Sequence, residues 1–279
     1  MRNSASAISI CISIALAFHP CAAAAIEFSD AVAIVNYDVA SGEKLGEFPS
    51  RAMLAKLVAR IGQARPRAIV IKFFLDTPGK ESDSKLLVAA LADKRIFLQA
   101  SINAEPPTSK FLEGRFFYNE PLNDIKPAIS GDEGWLPLKP FADKATKVCF
   151  VDVVKPELVP MLTSFQGKPV PSMYACILAE AIGKNKMIMK DRSVQFGDYS
   201  IATDGAGQVA IPLVDLTLPS AISAFDVLEG KSGAALTGKV VVLIYTGNRS
   251  PTIAVRGVQV KVHQVFVAEL RALFAQLKP

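Results

Sequence analysis

Polar residues that could bind a ligand follow three apolar runs of the sequence. Asp38 and Asp76 each come at the end of one run, and Thr246, Asn248 and Arg249 follow a third. Ligands of open parallel sheets bind beyond the carboxyl ends of the strands, so these residues form one polar rim if the strands are neighbours. Carboxylates with a guanidinium suit a small polar ligand, and the two carboxylates suit a hard cation. The alternative is that each Asp only ends its strand and caps the next segment.

Two further polar residues stand in apolar surroundings. Lys72 lies inside the second apolar run. A buried lysine is costly unless it is paired, so we expect its ammonium to reach solvent or to meet Asp38 or another carboxylate, in a structural rather than a catalytic role. His263 is expected to cap the last helix or to pack beneath it. Trp135 and the aromatic residues 116–118 either line a pocket or pack as core and cover.

The motifs of several enzyme classes are missing from the sequence. Only one histidine, His263, follows the leader described below, and there is no HExxH, CxxC, GxSxG or GxxxxGK[ST] segment. The glycines at 205 and 207 lack the third glycine and the following helix of a dinucleotide site. We therefore expect no enzymatic activity and no cofactor.

The amino terminus has the layout of a secretory signal peptide. A positive residue is followed by an apolar run over 7–18 and then by small residues. That run is shorter than the roughly 20 residues that a membrane helix needs. We expect cleavage near Ala24 or Ala25, with 1–25 as signal peptide and 26–279 as one mature domain, periplasmic or secreted and without a transmembrane segment. An uncleaved anchor that continues beyond the alanines is the alternative.

Composition narrows the class of protein. Apolar residues make up 51% of the chain, which excludes a disordered protein. The formal net charge is +5, but the basic residues are scattered among acidic ones. Interspersed charge is typical of a solvated surface rather than of a nucleic-acid or anionic-membrane patch. We therefore expect no nucleic-acid partner.

Two cysteines follow the leader. Cys149 lies in an apolar strand-like run and Cys176 on an apolar helical segment. An oxidising compartment permits them to pair, and such a bridge typically contributes about 2–4 kcal/mol. Both are equally compatible with ordinary core cysteines. The sequence therefore leaves a disulfide between them open.

Apolar periodicity predicts strands and helices in alternation. Strands are predicted over 31–37, 68–75, 96–101, 148–154, 239–245 and 258–262, and helices over 51–61, 84–92, 171–182, 223–228 and 266–277. Ser50 is placed to cap the first helix, Ser82 or Asp83 the second, and a turn at 203–207 predicts a hairpin. Such alternation implies right-handed parallel crossovers. We predict an α/β fold with a largely parallel or mixed sheet, flanking helices and, in a single domain, an irregular middle insertion over 103–147.

Four segments together resemble the type 2 CHASE (CHASE2) domain, a bacterial extracytoplasmic sensory domain associated with cyclases and histidine kinases. They are the opening unit from IVNYD through LGEFPSR to AIVIKFFLDTPGKESDSKLLVAAL, the helix PVPSMYACILAEAIG, the segment ISAFDVLEGKSGAALTGKVVVLIYTG, and RGVQVKVHQVFVAEL. The last two are the most specific, because they keep a fixed order and spacing. Together the segments span about residues 31–275.

The sequence departs from the family pattern at several positions. Lys72 stands where the family usually has an acidic residue, and Phe48 replaces the Trp of its W-P motif. Pro156 and Glu157 stand where the family has an acidic, glycine-bearing turn. Members usually continue into transmembrane helices and a cytoplasmic output domain, which this sequence does not contain. The resemblance therefore implies a stand-alone domain that binds a ligand or a partner.

Three hypotheses about function follow. The first is a periplasmic or secreted, non-catalytic, sensor-like domain that recognises a small ligand or a membrane-bound signalling protein. The second is an extracytoplasmic metal-assisted hydrolase that uses Asp38 and Asp76, and the third is a protein–protein adaptor. The missing nucleophile motif and the shortage of histidine favour the first.

Overall fold

The strands and helices alternate along most of the chain, as the apolar runs predict. The structure is a computed structural model that describes residues 25–92, 94–102, 104–122, 124–184 and 186–279. The predicted signal peptide lies outside the described residues, apart from Ala25.

The described residues form the following elements. The strands are β1 Val32–Tyr37, β2 Ala68–Ile71, β3 Ile96–Ile102, β4 Ser130–Gly131, β5 Gly134–Trp135, β6 Lys147–Phe150, β7 Leu158–Pro160, β8 Leu162–Phe165, β9 Lys168–Pro171, β10 Met187–Lys190, β11 Ser193–Phe196, β12 Tyr199–Ala202, β13 Gln208–Ala210, β14 Ile222–Ser223, β15 Val240–Tyr245, β16 Thr252–Val255 and β17 Val258–Lys261. The helices are α1 Phe28–Ala31, α2 Val39–Leu45, α3 Arg51–Gln63, α4 Glu81–Leu91, α5 Lys139–Ala142, α6 Met173–Ala181, α7 Ala224–Leu228, α8 Gly233–Leu236 and α9 Val262–Phe274.

The main sheet runs in the order β14, β1, β15, β2, β3, β6, and every one of these pairings is parallel. The short β5 pairs antiparallel with the end of β3. All residues of β1, β2 and β15 are buried. Continuous apolar strands of this kind are typical of a parallel sheet that helices cover on both faces. The predicted α/β class with a mixed sheet and flanking helices is confirmed.

Helices pack on both faces of the sheet because successive strand residues point in opposite directions. Val242 of β15 belongs to the core beneath α6 and α9, whereas Leu243 belongs to the core beneath α3 and α4. The helix α3 begins at the predicted residue, where the Ser50 hydroxyl accepts the N–H of Met53 at 3.2 Å. The small strands β7 and β10 to β13 contribute Val159, Met189 and Val209 among others to the core beneath α6 and α9. The strands β8 and β9 place Phe165 and Val170 in the other core.

Several sequence predictions about elements are wrong. The strand β6 ends at Phe150 rather than at residue 154, and the helix α9 begins at Val262 rather than at residue 266. The strand β2 ends at Ile71 rather than at residue 75, so Lys72 lies just beyond it. The helix α4 begins at Glu81 with Lys80 at its cap position, and neither Ser82 nor Asp83 caps it. No hairpin forms around 203–207, because β12 pairs with β11 and β13 pairs with β7. The turn chemistry is present there, but distant strands supply the pairing.

Candidate functional site

The three strands that precede the predicted rim are neighbours in the sheet. The strand β15 lies between β1 and β2 and is parallel to both. Parallel strands deliver their carboxyl ends to the same edge, where open α/β sheets bind ligands. Asp38 follows β1 directly and Thr246 follows β15 directly, whereas Asp76 comes five residues after the end of β2.

Two of the predicted rim residues are engaged within the protein. The Asp38 carboxylate accepts the backbone N–H of Ser41 at 2.7 Å and so caps the short helix α2. The Thr246 hydroxyl and the Asn36 side-chain amide exchange hydrogen bonds of 2.8 and 2.9 Å. Asp76 is 9% exposed. The Thr246–Asn36 pair holds the ends of β15 and β1 together, and both contacts occupy polar atoms that a ligand would otherwise use.

An open pocket of about 240 Å³ lies at this edge. It is lined by Val39, Gly42, Glu43, Glu47, Gly247 and Asn248, and we call it the edge pocket. Asn248 is exposed, and Glu47 forms an ion pair of 2.7 Å with Arg249. Both partners of that pair are more than two-fifths exposed, and such surface pairs contribute only about 0–1 kcal/mol. A ligand could therefore separate Arg249 from Glu47 at little cost.

Tyr245 connects the edge pocket to the interior. Its hydroxyl donates to the carbonyl of Glu47 at 3.1 Å and accepts the N–H of Arg249 at 3.0 Å. Its backbone N–H donates to Nδ1 of His263 at 2.8 Å. A Cβ atom at Gly247 would lie 2.5 Å from the Tyr245 ring, so only glycine fits beside this tyrosine.

Four ionisable side chains and one aromatic ring lie between the sheet and α9, and all of them except the half-buried His263 are buried. His263, Phe266 and Glu269 share one face of the helix because they are spaced at intervals of three residues. The Lys72 ammonium lies 4.1 Å from the centre of the Phe266 ring. The hydroxyl of Tyr174, on α6, donates to Oε2 of Glu269. We call these five residues the α9 cluster.

Burial sets the protonation of the α9 cluster. Burial lowers the pKa of Lys72 to about 8, although Glu269 and Asp152 act in the opposite direction. Burial raises the pKa of Glu269 to about 8, against the Tyr174 hydrogen bond and the charge of Lys72. Burial and then Lys72 lower the pKa of His263 to about 3. Near neutral pH, Lys72 is therefore charged while Glu269 and His263 are neutral.

The expectation that Lys72 reaches solvent is wrong, because its exposure is 4%. Among the described residues, no carboxylate lies within 4.0 Å of its ammonium, and the Phe266 ring takes that place. Glu269 and Tyr174 were not identified from the sequence. A glutamate inside the apolar helix VFVAELRALF was the available signal, since buried acids are rare unless they have partners.

The two cysteines lie against each other between β6 and α6. Their sulfur atoms are in disulfide geometry, with the Cα atoms 6.7 Å apart. Both residues are fully buried in the core beneath α6 and α9. The bridge therefore joins the outermost parallel strand to the helix that covers it.

The described residues contain neither a candidate metal site nor a helix that could span a membrane. No group of three or more His, Cys, Asp or Glu side chains there is arranged to hold a metal ion. No helix in the same part of the chain is long and apolar enough to cross a membrane.

Comparison with known proteins gives one match. The family model of the CHASE2 domain matches residues 14–256, which is most of the chain. The match takes in β1 to β16 and stops at the turn before β17 and α9, so the resemblance of that last segment lies beyond it. No curated protein and no solved structure gave a match. The chain thus belongs to the CHASE2 domain family, whose members are extracytoplasmic sensory domains.

Proposed function

We propose that this protein is a non-catalytic sensory domain, exported to the periplasm or secreted, that binds a small polar ligand in the edge pocket. The adjacency of β1, β15 and β2 carries the proposal, because it places an open pocket at the edge where parallel sheets receive ligands. Membership of a sensory family supports binding rather than catalysis.

The lining of the edge pocket indicates the charge of the ligand. Glu43 and Glu47 are both exposed there, and Asn248 adds an amide that can donate or accept. A cationic or amine-bearing ligand would replace the Arg249 guanidinium on Glu47. The exchange conserves one charge pair, so the binding energy comes from the additional contacts with Glu43 and Asn248.

Tyr245 offers a route from the pocket to the rest of the domain. The backbone groups of Arg249 and Glu47 position the Tyr245 hydroxyl, so separating the side chains of these two residues would loosen the segments that hold it. The same residue hydrogen-bonds to His263 in the α9 cluster. A change in the position of Tyr245 would therefore reach α9.

A thermal-shift series tests the proposal. The probes are Mg²⁺, Ca²⁺, putrescine and spermidine, added to the mature protein. A ligand at a hundred times its dissociation constant stabilises the folded state by about 2.7 kcal/mol, which is a rise of about 5–10 °C for a chain of this size. We expect at least one probe to produce such a rise. Glu47→Gln and Asn248→Ala should abolish it while leaving the unliganded melting temperature within a few degrees.

Asp30→Asn is the matched control. Asp30 is exposed on α1, at the opposite edge of the sheet, so its substitution should leave the shift unchanged. A shift that persists in both pocket variants would place binding elsewhere. The absence of any shift with all four probes would contradict a cation-binding edge pocket.

A further inference from the structure

A second cavity lies beside β6, far along the sheet from the edge pocket. Its volume is about 280 Å³, near the lower end of the range for ligand pockets. It opens between α6, the start of β6 and the residues that follow the short helical turn Gly114–Phe116. We call it the β6 cavity, and nothing in the proposed function depends on it.

One cation of the β6 cavity forms no ion pair with any described carboxylate. Lys147 lines the cavity, and its ammonium lies 5.3 Å from the centre of the Phe97 ring. Among the described carboxylates, none is within 4.0 Å of it. Burial lowers the pKa of Lys147 against the charge of Glu180, which is itself paired with Arg95 at 2.6 Å.

The other charges around the β6 cavity are paired. Arg115 contacts Glu113 at 2.8 Å and Lys186 contacts Glu120 at 3.0 Å. Arg115 also donates to the carbonyls of Ala142 and Ala145, near the end of α5. Each of these pairs is neutral, so Lys147 is the one cation of the described lining that no carboxylate contacts.

The walls of the β6 cavity are mostly apolar. Phe117, Val148, Ala175, Ala179 and Met187 line it, and they leave Lys147 as the partner for a charged group. An occupant that satisfies both parts of this lining needs one negative charge and a compact apolar body. Inorganic anions lack the apolar body, and neutral hydrophobic molecules leave the lysine unpaired.

We propose that the β6 cavity binds a small monocarboxylate with an apolar body, with Lys147 as the counter-ion for its carboxylate. Phe117 and Met187 would enclose the body of the ligand, and the two alanines of α6 leave room for it. Cys176 also lines the cavity, so a bound ligand would lie next to the disulfide that joins α6 to β6.

Isothermal titration with four small probes tests this site. Phenylacetate has both required features, phenylacetamide keeps the shape without the charge, acetate keeps the charge without the body, and hexanoate replaces the ring by an alkyl chain. We expect phenylacetate or hexanoate to bind with a dissociation constant below about 1 mM. The amide and acetate should each bind at least tenfold more weakly.

Three variants locate the binding. Lys147→Met, which keeps the length and apolar stem of the side chain, should weaken carboxylate binding at least tenfold. Lys147→Arg should retain most of it. Lys56→Met is the control, because Lys56 is exposed on α3, which packs on the opposite face of the sheet.

Two outcomes would overturn the inference. One is the absence of binding by both carboxylates to the wild-type protein. The other is carboxylate binding that Lys147→Met leaves unchanged. Because the edge-pocket tests use cationic probes and different variants, failure of one proposal leaves the other standing.

Discussion

The backbone N–H of Tyr245 donates a hydrogen bond of 2.8 Å to Nδ1 of His263. This contact fixes the imidazole as the tautomer that carries its proton on Nε2, because Nδ1 acts as the acceptor. It also joins the last residue of β15 to the first turn of α9. The link therefore connects the carboxyl edge of the sheet to the helix that covers it.

Acid should break this link. The pKa of His263 is lowered from 6.5 to about 3 in the folded protein, so the unfolded state binds more protons between these values. The stability contributed by neutral His263 is present above pH 6.5 and is lost as the pH falls towards 3, at up to about 1.4 kcal/mol per pH unit. Urea unfolding across this range should show the loss in the wild type. His263→Asn, which keeps an acceptor but does not titrate, should lack that component; identical curves would contradict the assignment.

Glu269 should give the free energy of unfolding a pH dependence opposite to that from His263. Its pKa is raised from 4.5 to about 8, so the folded state binds more protons than the unfolded state in that window. The stability contributed by the protonated carboxyl is therefore present below pH 4.5 and is lost as the pH rises through 8. Glu269→Gln stays neutral, so its free energy of unfolding should rise relative to that of the wild type as the pH increases from 4.5 to 8 in the same assay. Glu229→Gln, at an exposed position after α7, should show no such gain.

The bridge between Cys149 and Cys176 should stabilise the mature protein. For a sequence separation of 27, the loss of loop entropy in the unfolded chain corresponds to about 3–4 kcal/mol. Non-reducing peptide mapping should give one linked peptide, and reduction should lower the melting temperature. A double Cys→Ala variant should be destabilised by a similar amount with or without reductant. Two titratable thiols in the folded, unreduced protein would contradict the bridge.

Asp38 should act as a helix cap rather than as a ligand group. Its carboxylate accepts the N–H of Ser41, so Asp38→Ala should cost about 1 kcal/mol of stability, whereas Asp38→Asn should cost much less. Chemical denaturation measures both values. Neither variant should change the response to the cationic probes of the edge pocket. A response that disappears in Asp38→Asn, with stability unchanged, would restore Asp38 to the binding site.

The leader should be removed on export. The charged start, the short apolar run and the alanines before Ile26 predict cleavage near Ala24 or Ala25. Intact-mass spectrometry of protein recovered from the periplasm or the medium should show a chain that begins at one of the next residues. A mass that still includes Met1 would favour the uncleaved anchor.

The sequence alone determined the local elements and the class of fold. The apolar runs that became β1 and β15 are continuous because both faces of a parallel sheet are covered, and that pattern is visible without any knowledge of partners. The inner face of α9 was also predictable, since Leu270, Leu273 and Phe274 recur at helical spacing and are buried. The resemblance of several segments, taken together, indicated the family that the match confirms.

Tertiary structure alone decided which of these residues meet. Nothing local places β15, which comes late in the chain, between β1 and β2, or pairs Arg249 with Glu47 instead of a ligand. The predicted hairpin at 203–207 does not form for the same reason. A turn is a local property of the sequence, whereas strand pairing depends on which distant strand edge is free. Lys72 and Glu269 acquired their shifted pKa values only when α9 and the sheet excluded water around them, because desolvation depends on the whole packed environment rather than on neighbours in sequence.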